Sequence, residues 1–137
     1  MQKKWLLVGG GFIFVVVITV IAFMLKKNPI SQIKESEIAT IEVTVTTKEN
    51  YVSIDSEEKA KITEIMEILN GIQLRKSKSH EKDGMGAEII ITMNDGSKHL
   101  LLFLEDDVSI DGKYYIPDKN YVEIFREIVS RYMVQKQ

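Results

Sequence analysis

The residues Asp107 to Asp118, DVSIDGKYYIPD, carry the chain's closest approach to a metal-binding spacing. Asp107, Ser109 and Asp111 fall at positions 1, 3 and 5 of an EF-hand loop, with Gly112 at 6 and Asp118 at 12. Calcium takes about six to eight oxygens, and the bidentate glutamate at the last position supplies two of them. Here a shorter aspartate stands there, Pro117 precedes it, and Tyr114 replaces the usual branched aliphatic residue. No entering helix is predicted either. Val108 and Ile110 alternate before Asp111-Gly112, and Tyr114 and Ile116 alternate after it, which is the pattern of a β-hairpin. Asp111-Gly112 then serves as the turn and Asp118 as the cap of a following helix. What remains for a metal is a looser calcium set, Glu105, Asp107 and Asp111, with Asp106 alongside. Adjacent acids in a loop are more often simply solvated.

Other chemistry is sparse. Arg75 to Lys82, RKSKSHEK, is basic and suits anionic headgroups or wall polymers, each cation near such a surface contributing about 1 kcal/mol. Glu81 and Asp83 dilute it, and a solvated loop explains it as well. Asp83-Gly84-Met85-Gly86 lacks the spacing and basic residue of a phosphate loop. Neither His80 nor His99 has the i+4 partner of a helical zinc site. The serines sit in no G-x-S-x-G or Ser-x-x-Lys pattern. The absence of cysteine excludes disulfides, thiolate metal sites and a cysteine nucleophile. Neither an enzyme nor a cofactor is expected; a pocket joining His99 to a serine and an acid would revive a hydrolase. Tyr115 is the candidate partner contact. If Tyr114 and Ile116 face inward, it faces outward beside the acidic turn.

The strongest signal lies at the other end of the chain. Trp5 to Leu25, WLLVGGGFIFVVVITVIAFML, contains no charge. At ~1.5 Å per residue these 21 residues make a helix of about 31 Å, matching a hydrocarbon core of ~30 Å. Lys3-Lys4 and Lys26-Lys27 bracket the run, and Trp5 suits an interface. A cleaved export signal is the competing reading, with Val20 and Ala22 as a poor cleavage site before the bulky Phe23-Met24-Leu25. The length favours an uncleaved single-pass anchor over residues 5–25, with the N-terminus in the cytoplasm and the domain outside. The four lysines of the first 27 residues face no acid, so the remaining 110 residues hold 14 basic and 20 acidic groups. That balance speaks against nucleic-acid binding.

The expected organisation is an anchor over 1–27, a juxtamembrane tether over 28–37 containing Pro29, and a domain over 38–137. Ile41, Val43 and Val45 alternate with Glu42, Thr44 and Thr46, predicting a strand that Tyr51 to Ile54 pairs against. Asp55 and Glu58 have capping-box spacing ahead of a helix bearing Ile62, Ile65, Met66 and Leu69, with Gly71 at its stop. Ile72 to Arg75 is a third strand. AEIIITMN and SKHLLLFLE, joined by Asp95-Gly96, read as a hairpin with a type I′ turn and as the middle of a sheet, being apolar on both faces. Tyr121, Phe125, Ile128 and Tyr132 mark a last amphipathic helix. The fold class is α+β: a mainly antiparallel sheet with two helices on one face.

From Ile38 to about Tyr132, and most clearly in GAEIIITMNDGSKHLLLFLEDDVSIDGKYYIPD, the chain resembles a family of small uncharacterised extracytoplasmic domains of Gram-positive bacteria. Its shared features are the two Asp-Gly turns and the tyrosine–proline approach to the last helix. The resemblance implies a lipid- or membrane-anchored protein outside the cell and brings no catalytic motif. The expected function is a non-catalytic interaction domain with an envelope partner. The alternative is a ligand- or calcium-binding sensor.

Overall fold

A computed structural model describes residues 15–18, 28–45, 50–77 and 86–135. Two short 3-10 turns, Pro29–Gln32 and Glu35–Glu37, lead into β1 (Ile38–Val45) and β2 (Asn50–Asp55). Helix α1 (Lys59–Asn70) and β3 (Leu74–Lys76) follow. A meander of β4 (Ala87–Met93), β5 (Lys98–Phe103), β6 (Val108–Ile110) and β7 (Lys113–Pro117) ends in α2 (Val122–Gln135). The strands form one antiparallel sheet in the order β2-β1-β4-β5-β6-β7-β3. The α+β expectation holds. Among the described residues no helix is long and apolar enough to cross a membrane. The 5–25 span lies outside them except for one helical turn at 15–18.

Register explains the core. Val52, Val43, Ile89, Leu101 and Ile110 stand opposite one another across five strands, and all are buried. A parallel row runs through Val45, Ala87, Phe103, Val108 and Tyr115. Directly opposed residues share a face, so these rows make one apolar surface. Ile62, Ile65, Met66 and Leu69 of α1 and Phe125, Ile128 and Val129 of α2 bury against it. Phe103 meets Phe125 at 5.0 Å between ring centroids. β4 and β5 are central as expected, yet their second face is only partly covered: Leu100 remains 42% exposed.

Several local expectations change. Residues 28–37 are not a free tether. Asn28 donates from Nδ2 to the carbonyls of Leu69 and Ile72 (3.3 and 3.2 Å) and accepts from the Ile30 amide (2.9 Å). Ile30 is fully buried, and Ile33 packs against the core. Two 3-10 turns produce isolated anchors rather than a repeat, so the segment shows no period. Strand β3 starts two residues later than predicted because Ile72 is taken into the core.

The turns divide as well. Asp111 and Gly112 adopt φ +49° and +86° between the paired Ile110 and Lys113, the expected two-residue turn. Asp95-Gly96 does not form one. Gly96 alone has positive φ (+91°), while the Gly96 amide reaches the Met93 carbonyl and the Met93 amide reaches that of Ser97. The loop is therefore three residues, Asn94 to Gly96, with the glycine taking the left-handed position.

The helix starts were partly legible. Glu58 reaches back to the Asp55 amide (3.2 Å), and Asp55 accepts from Glu57 (3.0 Å), so the pair shapes the turn before α1. Gly71 ends α1 with φ −83°, not in the left-handed region. Asn120, rather than Asp118, accepts from the Val122 amide at the start of α2 (2.9 Å). Asp118 instead accepts from the Gln73 amide (3.0 Å) and the Tyr121 hydroxyl (2.7 Å), joining β3 to α2.

Burial pushes the Asp118 carboxyl up. Hydrogen bonds from Tyr121 and Gln73, with its own amide and Lys119, outweigh that and hold it below the ordinary carboxylate range. Stability from a depressed carboxylate is present above its unfolded value and is lost as pH falls through the folded one. Asp118→Asn should therefore lower stability at neutral pH by about 1 kcal/mol, exposure limiting the effect. The gap to the parent should close as pH falls below about 4, as read by urea midpoints. Ile30→Ala should cost about 2–5 kcal/mol as a buried truncation. A flexible tether would show a change within about 0.5 kcal/mol.

Candidate functional site

The two loops of the meander meet the 3-10 segment at one end of the sheet and enclose a cleft of about 550 Å³. Asn94 of the β4–β5 loop donates its amide to the Glu37 carbonyl (2.8 Å), closing one wall. His99 enters from β5, opposite Ile91 and so on the core-side face, as the polar end of the buried row Ile54, Ile41 and Ile91. Asp111 enters from the β6–β7 turn. Lys34, Glu37, Asp95 and Ser97 complete the polar lining.

Asp111 organises this end. Its left-handed backbone is one that aspartate tolerates better than most side chains. One carboxylate oxygen accepts from the Leu100 amide (2.8 Å), and the other lies 2.8 Å from His99 Nδ1. Its own amide donates to the Leu100 carbonyl (2.9 Å). The carboxylate therefore bonds both the backbone of β5 and the imidazole beside it. An imidazole with its proton on Nδ1 donates to this carboxylate, and in that tautomer Nε2 is an acceptor. Such a ring can bind a donor group or accept a proton.

The cleft does bring His99, an acid and a serine together, the combination that would revive a hydrolase. The relay is incomplete. Ser97 Oγ donates to Asp95 Oδ1 at 2.6 Å, so its proton is directed to a carboxylate rather than to the imidazole. The Ser97 amide reaches the same oxygen (2.8 Å). These two bonds, led by the hydroxyl, hold the Asp95 carboxyl below its ordinary range. A nucleophile needs its base within hydrogen-bond reach, and this serine is engaged in its own turn.

The calcium set is not assembled. Asp107 precedes β6 and is buried, whereas Asp111 follows it and is held by His99 and Leu100. The three residues of β6 lie between them, so four residue rises separate the two by about 13 Å at most. Glu105 lies at the Asp107 end. Among the described residues no group of three or more histidine, cysteine or acidic side chains forms a metal site.

Tyr115 is also placed differently from the expectation. It stands opposite Val108 in a core row and packs, half-buried, against the hydrophobic cluster. Tyr114, opposite Ser109, takes the other face. The inward parity assigned to Tyr114 and Ile116 is reversed, because β7 takes its parity from β6.

His80 and most of the basic loop lie outside the described residues. The His99–Asp111 pair was the contact of the cleft missed in the sequence. Its signal was the second hairpin: once Ile110 pairs with Leu101, the turn residue after it must fall beside the start of β5.

No protein family, curated protein or solved structure matches the chain. Millimolar calcium should leave the thermal midpoint of the full chain unchanged relative to chelator. A ligand at 100 times its dissociation constant contributes about 2.7 kcal/mol, so a rise of several degrees would overturn this placement of the acids.

Proposed function

We propose that the chain is a single-pass membrane protein with a cytoplasmic N-terminus, carrying its α+β domain outside the cell as a non-catalytic interaction module. The observation that supports this best is the helical turn at 15–18. Val15, Val16, Val17 and Ile18 are all 44–61% exposed. Four successive positions at ~100° cover every side of a helix, so this turn has no polar face. Such a surface is costly in water and suited to lipid. The uncharged run around it and the bracketing lysine pairs agree.

The cleft favours a second reading, a sensor that binds a small polar ligand through His99. Its size falls within the ~300–1,000 Å³ of ligand sites, and its polar lining includes Lys34, Glu37, Asp95 and the bonded pair His99–Asp111. Ligands carrying both a donor and an anionic group suit that lining.

Alkaline extraction of native membranes, followed by protease treatment of intact cells, tests the anchor and its orientation. The full chain should remain in the membrane pellet, and its domain should be cut from outside. Recovery in the alkaline supernatant, or protection until the cells are opened, would overturn the reading.

A further inference from the structure

We infer that the β3–β7 edge is a docking surface for the anionic face of the bilayer, so that the domain lies against the membrane that holds it. This rests on the anchored reading above. Asn28 is fixed to the carbonyls of Leu69 and Ile72, and Ile30 is fully buried, so the chain joins the domain at the end of α1. Only Lys26 and Lys27 separate Asn28 from Leu25. Three residues span at most about 11 Å, which bounds the distance from Asn28 to the end of the apolar run. Strand β3 begins two residues beyond Ile72 and carries Arg75 and Lys76. The membrane end of the anchor and this edge strand are therefore tied to one corner.

Register places the cations on the correct side. Lys76 stands opposite Tyr115, which stands opposite Val108; Lys113 stands opposite Ile110. Val108 and Ile110 face the helices and the buried Ile30 segment, so Lys76 and Lys113 project from the same face. With Tyr114 and Tyr115 they line an open cleft of about 450 Å³. Both lysines are exposed, as is Arg75. Among the described residues none of the three pairs with a carboxylate. A cationic edge on an otherwise acidic domain, with tyrosines between its lysines, has the chemistry of a headgroup layer's partner.

The chain has no natural cysteine, so Ser77→Cys and Ser56→Cys each provide one labelling site. Ser77 lines the lysine cleft, whereas Ser56 follows β2 at the opposite edge of the sheet. The full chain is reconstituted in vesicles of phosphatidylcholine alone or mixed with phosphatidylglycerol, with a headgroup-linked acceptor dye. Energy transfer from position 77 should rise in the anionic vesicles and fall again at high salt, while that from position 56 stays constant. Lys76→Glu with Lys113→Glu should abolish the rise. Each basic side chain contributes about fivefold, so losing two lowers the docking equilibrium constant at least about 25-fold. Equal transfer in the two vesicle types, or a rise that survives both reversals, would overturn the docking. Alkaline extraction of the neutral vesicles separates the two ideas: a chain released there refutes the anchor itself, whereas a retained chain with no response refutes only the docked edge.

Discussion

The pairing of β1 with β4 is the constraint on which the rest of the structure depends. It joins an N-terminal hairpin to a meander that starts about thirty residues after the hairpin ends, and it aligns Ile41 with Ile91 and Val43 with Ile89. Side chains alternate with a period of two, so a one-residue slip would turn every buried branched residue of β1 toward solvent. With that register in place, the apolar row continues from β2 to β6 and gives both helices a common surface. The close approach at Gly86 belongs to the same arrangement: a Cβ there would lie 1.6 Å from the Phe103 carbonyl oxygen. Only glycine lets the chain enter β4 so close to the end of β5.

The same register sets the two ends of the sheet apart. At one end, the loops after β4 and β6 rise above the last apolar row, and polar side chains gather where the core stops. Asp111 binds β5 through its side chain and its backbone amide, and His99 lies against its second oxygen. The 3-10 segment closes the cleft from the side. It can do so because Ile30 and Asn28 hold it to the core and to the end of α1. A segment with so few apolar residues would otherwise have little reason to order.

Between the helices the packing is less complete. The Tyr132 hydroxyl is buried without a well-directed hydrogen bond, facing a Glu64 carboxylate that is engaged by Arg131. Burial, with the nearby Glu64 charge, pushes this hydroxyl up to about 12. The ring compensates through its faces: Lys61 Nζ lies 4.9 Å from its centroid and the Arg131 guanidinium carbon 5.4 Å. α1 and α2 are thus joined at their rim by one cation–ring contact, Lys61 on Tyr132, and one ion pair, Arg131 with Glu64, while their apolar faces bury against the sheet.

Much of the fold was legible in local pattern. Alternating residues in β1, long apolar runs in β4 and β5, and i, i+3, i+4 stripes in both helices depend on periods that a single segment carries by itself. The Asp111-Gly112 turn was legible for the same reason. Choices among equivalent local options were not. Asp95-Gly96 could close a two- or three-residue loop, and the two bonds from Ser97 to Asp95 accompany the longer one. Asp118 was the expected cap, but the nearby Gln73 amide gave it another role and Asn120 took the capping position. Tyr115 could take either face until pairing with Val108 decided it. By itself, then, the sequence determined the element types, the central strands and the uncharged N-terminal run, because these follow from short-range spacing and composition. Only the tertiary structure decided the sheet order, the facing of β7, the anchoring of residues 28–37 through Asn28 and the buried Ile30, and the meeting of His99 with Asp111, because each depends on partners distant in the chain.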